Sequence, residues 1–111
     1  MDVSVRGRHL DVSEPLKAYA ERRLLFSIGE FAPRVGSIDV RVADVNGPRG
    51  GVDKACDVEV MVPPFGRLFA RAVDADAYAA VDKAAARIRS VLVRRIRHRA
   101  ERRRSDPPPA A

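Results

Sequence analysis

The 111-residue chain has no tryptophan, one cysteine, two histidines, two tyrosines and four phenylalanines. Each scarcity removes a class of function. A lone cysteine, Cys56, excludes an intrachain disulfide and a thiolate-rich metal site, and it fits a reducing, cytoplasmic compartment. His9 and His98 stand in no metal-ligand spacing. No motif places a nucleophile beside a base, so neither an enzyme nor a bound cofactor or metal is expected. No apolar run approaches the roughly 18 residues of a membrane-spanning helix. The N-terminus alternates Val3 and Val5 with polar residues instead of forming an apolar signal core, so no membrane or secretory destination is expected. With so few aromatics, base-stacking platforms of the single-strand kind are not expected either, and recognition of structured RNA by shape and backbone is favoured over base readout.

What the chain does have is positive charge, unevenly placed. The formal net charge is +6, and residues 87–104 hold nine arginines against the single acid Glu101. That segment carries +8 and the remainder of the chain sums to −2. A helix end gains from cations that complement its dipole, but solubility alone does not require so many arginines with almost no acids between them. The pattern points to a polyanionic partner recognised through its phosphates.

Hydrophobic patterning predicts one domain over residues 1–104, followed by a short disordered Pro-rich tail, 105–111. Val3 and Val5 alternate over residues 2–6 as in a half-buried strand, with a loop through Gly7, Arg8 and His9. Ser13 before Glu14-Pro15 is a helix start, and Leu16, Tyr19, Ala20, Leu24 and Ile28 form one stripe as far as Gly29. Ile38, Val40 and Val42 mark a second strand, and Cys56, Val58, Val60 and Val62 a third. Leu68, Ala70 and Ala72, after the turn Pro63-Pro64-Phe65-Gly66, mark a shorter fourth. A long helix capped by Asp74 or Asp76 follows, with the stripe Tyr78, Val81, Ala85, Ile88, Leu92 and Ile96. The arginines continue past Ile96, so the final turns are expected to leave the core and fray. The order β-α-β-β-β-α predicts an α+β fold, a four-stranded sheet with both helices packed on one face. Tyr19 and Tyr78 are expected in the core, Cys56 is expected to be an inert inward thiol, and Phe69 falls on the outward phase.

Two groups of basic residues are candidates for phosphate contact. Lys83, Arg87, Arg94 and Arg97 share one face of the second helix, with Arg95 in the same run. That row is expected to reach solvent near the first helix, where Arg23 would face the same groove and complete a basic channel. The other group lies in residues 44–54, whose glycines, Arg49 and Lys54 would present amides and cations to an anion. The segment matches no Walker loop, and a plain hairpin connection between strands two and three explains it better.

Gly7-Arg8-His9-Leu10 followed by Ser13 and Leu16, Tyr19 and Leu24 in helix one, and Asp74-Ala75-Asp76-Ala77-Tyr78-Ala79-Ala80-Val81-Asp82 resemble one family over about residues 1–100. It is the ribosome hibernation promoting factor family, also called ribosome-associated inhibitor A or sigma-54 modulation proteins, in its short form. The resemblance implies a β-α-β-β-β-α fold and a stress-response factor that silences translation. It implies binding to the small ribosomal subunit in the mRNA and tRNA path, with basic residues of both helices gripping ribosomal RNA. Arg23, Arg87 and Arg94 keep basic positions of the family. Ser90, Phe26 and Gly29 stand where relatives often carry basic residues, and the loop Asn46-Gly47-Pro48-Arg49-Gly50-Gly51 is longer than in common members. The other reading is a non-enzymatic interaction module of the same fold that binds a protein or anionic ligand through the 44–54 loop. Neither reading requires a small-molecule substrate or a membrane.

Overall fold

The computed structural model of the chain describes residues 2–45 and 52–105, with side chains as far as Glu101. The expected hairpin tip, including Arg49, and residues 106–111 of the expected tail lie outside the described residues.

Local signals explain where the elements begin. Strand β1 covers Asp2–Arg8 and helix α1 Glu14–Ile28. Ser13 caps α1, its Oγ accepting the Leu16 N–H at 3.2 Å, and Pro15 sits in the first turn, where a missing N–H costs nothing. At Gly29 the α-helix tightens into a 3-10 turn, Gly29–Arg34, that contains Pro33. Strands β2 (Ser37–Asp44), β3 (Lys54–Val62) and β4 (Gly66–Asp74) follow, then helix α2, Ala77–Ser105. Asp76 caps α2 through the Tyr78 N–H at 3.2 Å, while Asp74 accepts the Asp76 N–H at 3.0 Å, so both expected capping acids are used.

The sheet runs β1-β2-β3-β4, with β1 parallel to β2 and the later pairs antiparallel. Helix α1 is therefore the crossover between two parallel neighbours, and both helices cover one sheet face. The inward residues of that face, Ile38, Val40, Cys56, Val58, Val60 and Ala72, are buried against Leu24 and Ile28 of α1 and Ile88 and Leu92 of α2. Each Val, Leu or Ile among them contributes roughly 1.5–3 kcal/mol on burial. No described helix is long and apolar enough to cross a membrane.

Three expectations change. Strand β1 runs on through Gly7 and Arg8, which pair with Val42 and Ala43, because the parallel partner continues to offer ladder groups there. Strand β4 has nine residues, as many as β3, since every residue from Gly66 to Asp74 finds a β3 partner. Helix α2 continues unbroken for 29 residues, although its apolar stripe ends near Ile96.

After β1 the chain doubles back tightly. His9 takes a left-handed conformation, φ +56°. A Cβ on Gly7 would lie 2.1 Å from the Leu10 carbonyl oxygen.

Candidate nucleic-acid interface

Contacts between the helices fix the orientation of α2. Tyr19 donates its hydroxyl to Asp82 Oδ1 at 2.5 Å, and Arg23 Nε reaches the same oxygen at 3.1 Å. One helical turn on, Ser27 Oγ donates to the Ala85 carbonyl at 2.8 Å, and Arg89 Nη1 donates to the Ser27 carbonyl at 2.7 Å. Arg89 also pairs with Glu30 and lies over the Phe31 ring. The helices therefore run in the same direction, joined along a polar seam. Tyr19 and Tyr78 meet edge to face at 5.1 Å at the start of this seam; Tyr19 is partly buried against the core, whereas Tyr78, expected there too, is exposed. The phenol of Tyr19 is pushed up from its ordinary pKa, first by its hydrogen bond to Asp82 and then by burial.

This geometry corrects the expected channel. Arg23 lies in the seam, paired with Asp82. Arg87 lies on the opposite flank of α2, its Nη1 donating to the Arg71 carbonyl of β4 at 2.6 Å. Lys83 sits on the same flank, 2.6 Å from Asp74 Oδ2. The Asp74 carboxyl is held below its ordinary range, first by the Asp76 N–H and then by Lys83. Arg23 and Arg87 therefore do not face a common groove. Arg87 covers a carbonyl of the sheet's edge strand, so Arg87→Ala should lower stability by about 1 kcal/mol. Arg94→Ala should leave it unchanged, and urea midpoints measured for the two variants check both statements.

Arg95 and Arg99 occupy the phase of the apolar stripe beyond the end of the sheet. Their guanidinium groups lie 5.9 and 5.7 Å from the Phe65 ring centroid, covering the β3–β4 turn. Lys54 is likewise engaged, 2.8 Å from the buried Asp53 and 3.6 Å from Asp44. Its pKa is raised, chiefly by the hydrogen bond to Asp53.

Arg94 and Arg97 are different. Both are exposed and hold no hydrogen bond or ion pair among the described residues. With Arg89, Ser90, Val93, His98 and the acid Glu101 they line a shallow open groove on the outer face of α2. An open basic surface of this kind binds extended polyanions by phosphate contact and leaves bases unread.

Two functional candidates were missed in the sequence. Ser27 lies in phase with Leu24 and Ile28, and a small hydroxyl on an apolar stripe signals a close helix contact. Arg89 was one of nine arginines in a run; only its position one residue after Ile88 distinguishes it. Cys56, inward as expected, is fully buried, and burial pushes its thiol up to about 12. At pH 8 the native protein should react with a disulfide reagent only as fast as it unfolds, which the labelling rate with and without urea measures.

The fold matches a ribosomal subunit interface protein from Coxiella burnetii with a TM-score of 0.73 and 22% identity, over 86% of this chain and 97% of that one. It matches the N-terminal domain of Thermus thermophilus Protein Y with a TM-score of 0.67 and 23% identity, over 86% of this chain and 99% of that one. No curated protein matches the sequence. The family model described as sigma 54 modulation protein / S30EA ribosomal protein matches residues 3–104.

Proposed function

The chain belongs to the sigma 54 modulation protein / S30EA ribosomal protein family, and on that premise we propose that it is a cytoplasmic, non-enzymatic hibernation factor that binds the ribosome and silences translation. Its contact is with RNA of the small subunit, in the path that mRNA and tRNA otherwise occupy. The observation that carries this reading is the arginine groove on α2. Arg94 and Arg97 are exposed cations with no partner among the described residues, on a helix anchored at both flanks by Arg87 and Arg89. Lys83 and Arg87 extend the basic surface along the β4 flank, while Arg23 stands apart from it, in the seam with Asp82. Arg95 is a weaker contact because Phe65 already engages it. Lys54, at the start of β3, lies apart from that groove, and Arg49 lies outside the described residues. The rival module acting through that loop has one group against it: the Lys54 ammonium is already shared by two carboxylates.

Competition tests the proposal. Vacant small subunits should bind the protein, and subunits preloaded with mRNA and initiator tRNA should exclude it, as read by sedimentation through sucrose. Equal binding to vacant and loaded subunits would place the contact outside the mRNA path.

A further inference from the structure

Phe26 is 85% exposed, the most exposed large apolar side chain among the described residues. Single apolar side chains at a surface are ordinary, but the surroundings of this one are not. The Arg23 guanidinium lies 5.8 Å from its ring centroid and is itself fixed by Asp82. The next residue, Ser27, is buried in the seam and gives its carbonyl to Arg89. Arg89 in turn lines the groove that holds Arg94 and Arg97. The ring therefore stands on α1, one residue from the seam that Arg89 closes, with one cation beside it and most of its surface open to solvent.

The other strongly exposed phenylalanine provides a contrast. Phe69, 57% exposed on the opposite sheet face, shares its surroundings with Asp39, Asp57 and Glu59 as well as Arg6 and Arg41. Carboxylates at that density repel a phosphate backbone. Near Phe26 the acids Asp82 and Glu30 are each already paired with an arginine, Arg23 and Arg89. The exposed ring thus stands beside cations without a cluster of unpaired carboxylates among the described residues, the setting that holds a base and its phosphates in a single strand.

We propose that Phe26 is a stacking platform for an unpaired nucleobase of ribosomal RNA, on α1 across the seam from the arginine groove. This rests on the ribosome-binding reading above and adds a chemical requirement to it: the RNA at this point is single-stranded, with a base turned out of its stack. Sequence preference there is low, because every base has a face to stack. A row of aromatics is not needed; one ring beside an arginine track suffices. This departs from the expectation drawn from aromatic scarcity.

The chain contains no tryptophan, so Phe26→Trp reports from this site alone. The full-length variant, its melt matching wild type, is titrated with an unstructured RNA decamer, with a duplex of the same composition, and with small ribosomal subunits. The proposal expects tryptophan emission to be quenched by the decamer and by the subunits, and left unchanged by the duplex. It also expects Phe26→Ala to weaken subunit binding roughly tenfold at constant salt slope, and Phe26→Tyr to restore it. Sedimentation of Phe26→Trp with subunits and no change in emission would overturn the stacking role. Quenching by subunits but not by the decamer would assign the ring to a ribosomal protein and overturn it equally. Equal quenching by the duplex would do the same. Quenching by the decamer without any subunit binding would retain the stacking and overturn the ribosome reading instead.

Discussion

Replacing Arg94 and Arg97 together by glutamate is expected to weaken binding to ribosomes by about two orders of magnitude and to move the melting temperature by less than about 2 °C. The two effects separate because the side chains face solvent and hold no partner among the described residues. Their removal leaves no buried group unpaired. On the RNA side, two attractive contacts become two repulsions within one groove. Pelleting with ribosomes, run beside a thermal melt, measures both. Arg87→Glu serves as the comparison: it should lose stability as well, because it uncovers the Arg71 carbonyl and sets a carboxylate on the flank of β4. If the Arg94/Arg97 double variant pellets like wild type, the groove is not the contact.

Gly7→Ala is expected to cost about 2–3 kcal/mol, lowering the melting temperature by roughly 9–13 °C. The added Cβ would lie 2.1 Å from the Leu10 carbonyl oxygen and 2.8 Å from Val12 Cγ2. The first of these is backbone, so relief requires β1 or the following turn to shift. His9→Gly is the counterpart. It removes a side chain from a left-handed position and should stay within about 1 kcal/mol of wild type. A Gly7→Ala variant that melts with wild type would show that the turn after β1 is looser than its geometry.

The same turn shows what could be read from sequence and what could not. Gly7-Arg8-His9-Leu10 marked the family resemblance, but its physical reason, a carbonyl packed where a Cβ would stand, exists only once the chain has turned back. Strands and caps were legible because their signals are local: the alternation of Val58, Val60 and Val62 fixes a face, and Ser13 and Asp76 satisfy helix amides a few residues away. The flank of α2 that meets α1 was not legible. The stripe Val81, Ile88 and Leu92 shows which face points down. Left and right depend on the strand order β1-β2-β3-β4 and on where the crossover helix lies. For that reason Arg87, expected beside α1, stands over β4, and the seam belongs to Asp82, Ala85 and Arg89. Counting arginines also overstated the free charge. Arg95 and Arg99 follow Ile88 and Leu92 by seven residues each, so they fall on the core phase and close over Phe65. Helical phase alone could have separated them from Arg94 and Arg97.

The central claim is that this chain binds small-subunit RNA through phosphate contacts on α2. The measurement that tests it most directly is the dissociation constant for purified small subunits as a function of salt. With about four phosphate contacts, affinity should fall about a hundredfold between about 50 and about 200 mM monovalent salt. The Arg94→Glu, Arg97→Glu variant should show a slope shallower by about two contacts. An affinity that does not change with salt, or that is unchanged in slope in the double variant, would contradict the account.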